Sequence, residues 1–209
     1  MERAGGVVGH ASGLTVKRIG KAPLAILISG RGSNMAALIE ASRAGDCPYE
    51  VVLVASNKPD AAGIATARDA GIATFAHSHK GLTREEFDSI IDGALRQAGA
   101  RYVALAGYMR ILSHGFIAGW AGRIVNIHPS LLPKYKGLDT HARAIAAGDA
   151  EAGCSVHLVT PELDDGEVIA QARVTILPGD TPATLADRIL FEEHRLYPDA
   201  LATYIQAHG

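Results

Sequence analysis

The sequence is short of cysteine. Only Cys47 and Cys154 occur in 209 residues, far apart and at no metal-binding spacing, so no disulfide framework is readable. It lacks any apolar run of about 20 residues, the length a membrane-spanning helix needs. It also lacks a dominant charge: 20 Lys and Arg stand against 22 Asp and Glu, a formal net charge of -2. That balance gives no general pull towards nucleic acid or an acidic membrane, so a small anion would have to be held by local groups. Charge-rich and low-complexity tracts are absent, and 48% of the residues are apolar, enough for a full core. No G-x-S-x-G elbow occurs, which leaves serine hydrolysis without support. The first twenty-one residues, "MERAGGVVGHASGLTVKRIGK", lack the apolar centre of a secretory signal. They are expected to be a flexible or tag-like extension over residues 1–21, ahead of one domain over 22–209. A reducing, cytoplasmic setting is expected, with neither membrane nor nucleic acid as partner.

What is present is alternation. "PLAILIS" and "YEVVLVAS" are short apolar runs of buried-strand type, and "GIATFA", "RYVALAG" and "RIVNIH" read the same way. Helical spacings lie between them. Met35, Leu38 and Ile39 recur up to Gly45, a short helix covers Ile64 to Ala70, and Phe87, Ile90, Ile91 and Leu95 follow a capping box of Thr83 and Glu86. Ser113 caps a helix running to Trp120. This order implies a parallel sheet with helices on both faces. The pattern changes after Pro133. A helix is expected over Thr140 to Ala147, and then "CSVHLVT" and "VIAQARVTI" are strands joined by "PELDDGE", too short a link for a parallel crossover. A last helix starts at Thr181-Pro182 and runs towards Gln206, with a kink or interruption expected near Pro198. The expected fold class is α/β: a three-layer sandwich about a Rossmann-like, mostly parallel central sheet with an antiparallel C-terminal portion.

Ligands of open α/β sheets bind outside the carboxyl ends of the strands. Four unusual segments follow strands here: "SGRGSN" after the first, "AGYMRIL" after the fourth, Asn126 and His128 ending the fifth, and "PELDDG" after the sixth. Short connections should gather them into one cleft. In "SGRGSN", Gly30 and Gly32 permit positive φ, and the following helix N-terminus suits a phosphate. Met35 stands where a dinucleotide fingerprint needs its third glycine, and no Walker lysine is present. A monophosphate cradle and a plain strand-to-helix turn both remain open. Asn126 and His128 are two apart in a strand, so they share a face. An amide that donates without titrating, beside an imidazole that can hold a proton near neutral pH, suits an oxygen turning negative. The alternative is a strand end whose polar groups satisfy a loop. Asp164-Asp165-Gly166 is an ordinary turn composition, or it supplies a carboxylate that keeps His128 protonated and relays protons. "GYMRIL" offers either an apolar wall for a flat heterocycle or core residues. His77-x-His79 alone is too little to ligate zinc, so no metal is expected.

Taken together, "LISGRGSN", "ASNKPDAAG", "LAGYMRILS", "NIHPSLLPKYKGLDTH", "GCSVHLVTPELDDG" and "EEHRLYP" resemble the phosphoribosylglycinamide formyltransferase family, folate-dependent enzymes of purine synthesis. The resemblance runs from about Leu24 to Ile205. It implies the formyltransferase fold. It also implies transfer of a formyl group from the co-substrate 10-formyltetrahydrofolate to the amine of glycinamide ribonucleotide, with no metal and no covalent enzyme intermediate. The expected partners are those two small molecules, for a monomer or weak homodimer. The resemblance places Asn126 and protonated His128 on the oxyanion, with Asp164 supporting the His charge and moving protons through water. Gly32, Ser33 and Asn34 match the family's phosphate loop, and Glu193 matches the ribose contact. Gly107, Met109, Ile127 and Pro129 match positions lining the nucleotide's path to the formyl carbon. The folate pocket carries over as Leu105, Arg110, Ile111, Leu112, Phe116, Ile117, Val159 and Asp164, and Arg84 matches an arginine near the glutamate tail. Three departures stand out. Asp139 replaces a His that many members carry, Leu190 replaces a polar residue that helps the phosphate, and the N-terminal stretch has no counterpart in short bacterial forms.

Rival readings make other demands. A 10-formyltetrahydrofolate hydrolase is expected to carry an N-terminal regulatory domain. A methionyl-tRNA formyltransferase is expected to carry a basic C-terminal domain and a positive surface. The stretches before Pro23 and after Ile205 fit neither. A non-catalytic nucleotide-binding protein would keep the phosphate loop but has no need of Asn126, His128 and Asp164 in one cleft.

Overall fold

A computed structural model describes residues 20–209 of the chain. The expectation of an extension over 1–21 therefore falls almost wholly outside the described residues. Lys21, at its edge, is tied to the fold. Its ammonium bonds the carbonyls of Ser42 and Ala44, each at 2.6 Å, where the first helix ends and a cation is favoured.

The elements in chain order are β1 (Ala22–Ile28), α1 (Ser33–Ser42), β2 (Tyr49–Ser56), α2 (Ala62–Asp69), β3 (Thr74–Ala76), α3 (Arg84–Gln97), β4 (Tyr102–Leu105), α4 (His114–Gly119), β5 (Ile124–His128), α5 (Thr140–Ala146), β6 (Glu151–Leu158), β7 (Val168–Thr175) and α6 (Pro182–His208). The strands form one sheet in the order β3-β2-β1-β4-β5-β6-β7. β1 to β5 pair in parallel, while β6 runs antiparallel to β5 and β7 antiparallel to β6.

Alternate residues of β1 fill opposite layers. Leu24, Ile26 and Ile28 join a core with α1, α2, α5 and α6, while Ala25 and Leu27 join a core with α3 and α4. A strand covered on both faces must be apolar throughout, which is why "PLAILIS" reads as an unbroken run. Each large apolar side chain contributes roughly 1.5–3 kcal/mol by leaving water. The helices present matching stripes: Met35, Leu38 and Ile39 on one side, Phe87, Ile91 and Leu95 on the other. The Thr83–Glu86 capping box starts α3, and the Ser113 side chain caps α4 on the Phe116 amide.

Two expectations need correction. α6 runs through Pro198 as one helix, so the expected interruption there does not occur. Pro198 cannot donate to the carbonyl one turn earlier, but packing on either side outweighs one lost bond. Glu193, Tyr197, Ala200 and Leu201 are buried, and the Tyr197 hydroxyl reaches the carbonyls of Leu105 at 3.1 Å and Val125 at 2.8 Å. The second correction concerns "PELDDG". Because β6 is antiparallel, its carboxyl end at Leu158 lies beside Val125, near the start of β5 and not beside His128. This loop leaves from the wrong end of the sheet for the strand-end rule and has to fold back. Gly166 permits the return, since a Cβ there would overlap the Leu158 carbonyl oxygen.

Candidate functional site

β5 overreaches β4. Their last pair is Leu105 with Asn126, so Ile127 and His128 project beyond it. On the other side His128 is still paired with Ser155 of β6. Ser155 also braces the turn that follows, donating to Ser130 O at 2.6 Å and accepting from Leu132 N–H at 3.0 Å. The imidazole is thus delivered at the sheet's rim, mostly buried but not sealed, with its side chain 8% exposed.

The loop over 159–167 folds back and brings Asp164 to this ring. Asp164 Oδ2 lies 3.4 Å from His128 Nδ1, an ion-pair separation, and accepts the Gly137 N–H at 2.9 Å. Asp164 holds φ 48°, a left-handed conformation that Asp tolerates better than most residues. The other ring nitrogen of His128, Nε2, donates to the Tyr135 carbonyl at 3.0 Å. The ring thus has a hydrogen-bond acceptor at Nε2 and a carboxylate at ion-pair distance from Nδ1.

Sequence reasoning missed His157. It is 2% exposed, in β6, directly opposite Asn126. Its Nδ1 lies 2.8 Å from Leu158 O, a group that only accepts, so this nitrogen carries the proton. Nε2 then offers a lone pair and accepts from Asn126 Nδ2 at 3.1 Å. Burial opposes a second proton and holds His157 below its ordinary value, although Asp164 Oδ1 stands 3.7 Å away. The neutral ring therefore fixes which way the Asn126 amide points. In the sequence, one polar residue inside an apolar strand is indistinguishable from a satisfied core histidine.

In the glycine loop, Gly32 adopts φ 74° just before α1, whereas Gly30 is not among the positive-φ glycines, so only one of the two uses that freedom. The first bond of α1 runs from Ala36 N–H to Gly32 O at 2.9 Å. The amides of Ser33, Asn34 and Met35 have no carbonyl one turn earlier, an arrangement that suits an anion. α2 backs this loop: Gly63 N–H donates to Gly30 O at 3.0 Å, and a Cβ on Gly63 would stand 2.6 Å from Ile28 Cδ1. Asn34 Nδ2 donates to Glu193 Oε2 at 2.7 Å, both residues being buried. The fold thus joins the residues expected at the phosphate and at the ribose. Burial raises Glu193 above its ordinary value, and the Asn34 bond opposes that in part.

The segment 107–112 is held against the ends of β1 and β2. Met109 N–H donates to Ser29 Oγ at 2.8 Å, and Ser29 donates to Asn57 Oδ1 at 2.6 Å. Met109 and Ile111 are exposed, while Leu105, Leu112, Phe116 and Ile117 are buried with Val159 packed against them. These five belong to one apolar cluster, and Met109 and Ile111 leave exposed apolar side chains in the segment that joins it. Arg110 lies over the Phe87 ring and donates to Thr83 O at 3.1 Å. Its Nε, the Tyr108 hydroxyl and one oxygen of Asp88 are buried without a protein partner, so polar groups remain for a ligand or water. Arg84 opens α3 and lines a cleft of about 630 Å³ with Asp88, His114 and Phe116. Pro129 lines a second cleft of about 420 Å³ with Leu132, Tyr135 and His141. Asn126, His128 and Asp164 do not line either of these two clefts. Asp139 sits at φ 58° before α5 and makes no side-chain cap, and Leu190 is half-buried in α6. Among the described residues, no group of three His, Cys, Asp or Glu is arranged to hold a metal ion.

The family model described as formyl transferase matches residues 22–201. The chain is 46% identical over 176 residues to the phosphoribosylglycinamide formyltransferase of Escherichia coli (strain K12), covering 84% of this chain and 83% of that protein. It is 48% identical over 182 residues to the trifunctional purine biosynthetic protein adenosine-3 of Drosophila pseudoobscura pseudoobscura, covering 86% of this chain but only 13% of that longer protein. Among solved structures, the phosphoribosylglycinamide formyltransferase from Brucella melitensis matches with a TM-score of 0.85 at 50% identity, over 88% of this chain and 96% of that one.

Proposed function

The chain belongs to the formyl transferase family, and from that premise we propose that it transfers the formyl group of 10-formyltetrahydrofolate to the amine of glycinamide ribonucleotide. The observation that carries this reading is the meeting of Asn126, His128 and Asp164, with His128 and Asp164 3.4 Å apart at the rim of the sheet.

As the amine adds to the formyl carbon, the formyl oxygen gains negative charge. Asn126 answers with an N–H. His157 takes one amide hydrogen and leaves the second for the cleft. His128 answers with its ring, whose Nε2–H is shared with the Tyr135 carbonyl until a substrate oxygen competes for it. Asp164 balances the ring's positive charge and accepts a proton on its way from the amine through water. Losing one donor of this kind typically costs about 100- to 1,000-fold in rate. The co-substrate supplies the electrophilic formyl carbon. As the tetrahedral intermediate collapses, the bond from that carbon to the folate nitrogen N10 breaks, N10 takes up the proton relayed from the amine, and tetrahydrofolate leaves with formylglycinamide ribonucleotide. The exposed Met109 and Ile111, with the unpartnered Arg110 Nε and Tyr108 hydroxyl nearby, fit a flat ring with polar edges. The start of α1 would hold the nucleotide phosphate through backbone amides, with Glu193 on the ribose. Arg84, exposed at the start of α3, suits the carboxylates of the folate tail. No helix among the described residues is long and apolar enough to cross a membrane. We place the protein in the cytoplasm as a monomer or weak homodimer, acting on small molecules alone.

The test is spectroscopic. The chain is given 10-formyltetrahydrofolate with and without glycinamide ribonucleotide, and the appearance of tetrahydrofolate is followed. Release that requires the amine is the expected result. Release without it would mean a hydrolase, and no release with it would mean a binding protein.

A further inference from the structure

We propose that the turn Tyr135–Gly137 is a positioning element for the transfer centre, and that the Lys136–Asp165 ion pair is the latch closing it on the catalytic carboxylate. The inference rests on the formyl-transfer reading.

Three observations carry it. First, this one turn holds both members of the central pair. The Tyr135 carbonyl accepts from His128 Nε2–H at 3.0 Å, and the Gly137 N–H donates to Asp164 Oδ2 at 2.9 Å. Tyr135 at φ 56° and Gly137 at φ 78° are both left-handed, and that backbone aims a carbonyl and an amide at two different partners.

Second, three successive residues of the 159–167 loop engage two of the turn. Leu163 lies beside Gly137, where a Cβ would meet Leu163 Cδ2 at 3.8 Å. Asp164 takes the Gly137 amide, and the Asp165 carboxylate pairs with the Lys136 ammonium.

Third, the turn is the firmer partner. Arg143 of α5 donates to Lys136 O at 2.7 Å and to Leu138 O at 3.2 Å. Asp149 receives the Tyr135 hydroxyl at 2.7 Å and the Lys134 ammonium at 2.8 Å. Within the 159–167 loop the only described internal side-chain bond is Thr160 Oγ1 to Glu162 O at 3.2 Å. The loop thus takes the place of its catalytic residue from the turn. Lys136 and Asp165 are 37% and 53% exposed, so water competes for their pairing.

The test compares wild type, Lys136→Met, Asp165→Asn and the charge-swapped Lys136→Glu/Asp165→Lys variant in steady-state transfer and in backbone hydrogen exchange. Each single change is expected to lower kcat by about two- to fivefold, the size an exposed pair supports. Neither KM nor the melting temperature should move with it, and exchange over 159–167 should rise. The swapped variant should recover both kcat and protection. Single variants with wild-type kcat and protection would overturn the proposal, as would losses that the swap does not recover. If wild type itself shows no transfer, the transfer reading fails, and the exchange data alone decide the latch.

Discussion

Replacing His157 with Leu isolates the orientation of the Asn126 amide from the amide itself. The change removes the acceptor 3.1 Å from Asn126 Nδ2 and leaves Asn126 in place. A net hydrogen bond of this kind is worth about 0.5–1.5 kcal/mol, which sets a floor of roughly two- to twelvefold in rate. Complete loss of an oxyanion donor sets the ceiling, about 100- to 1,000-fold. An amide that is present but free to turn lies between, so kcat is expected to fall by about 10- to 100-fold. The fold should survive. Leaving Leu158 O without its His157 partner costs about 1–3 kcal/mol, against about 5–15 kcal/mol for a typical domain. Steady-state kcat is measured in the wild-type background and in Asn126→Ala. With Asn126 gone there is nothing left to orient, so His157→Leu should then change kcat by less than about twofold. Equal losses in the two backgrounds, or near-normal kcat in the single variant, would refute the reasoning.

Three further outcomes are expected. Gly63→Ala forces a methyl to 2.6 Å from Ile28 Cδ1 and 3.0 Å from Gly30 O, so it should destabilise the chain by about 1–3 kcal/mol in chemical denaturation and weaken nucleotide binding by shifting the glycine loop. Glu193 is held above its ordinary value by burial, so its contribution to folding is greatest when it is protonated and is lost as pH rises through its folded value. Glu193→Gln, uncharged throughout, should gain stability relative to wild type in alkali, a gain that vanishes below about pH 4, and a pH-independent offset would contradict this. Arg84→Ala should weaken folate binding more as the glutamate tail lengthens, which a series of tail lengths in a binding assay tests directly, and equal loss across the series would count against that placement.

Much of the fold was legible because burial on both faces leaves its mark in composition. The unbroken run before Ser29, the stripe on α3 and the Thr83–Glu86 box are local signals, and the structure forms them where expected except that Ile90, expected on the stripe with Phe87, Ile91 and Leu95, is only half-buried and outside that core. Asn126 and His128 were legible as a pair because a strand's alternation places them on one face. The return of the 159–167 loop was not legible, since it depends on Gly166 sitting against the Leu158 carbonyl, a contact between strand end and loop that no periodicity encodes. His157 stayed hidden for a related reason: its function comes from register, through its pairing with Asn126 across β5 and β6. No interruption forms at Pro198 because a local rule was outweighed by tertiary packing of Tyr197 and Leu201.

The most direct measurement is kcat for Asp164→Asn under saturating 10-formyltetrahydrofolate and glycinamide ribonucleotide. The substitution keeps the shape and the Gly137 amide contact but removes the charge beside His128. If the carboxylate supports the imidazole and moves protons, kcat should drop by at least about 100-fold with both KM values little changed. A variant that turns over near the wild-type rate would contradict formyl transfer by this trio.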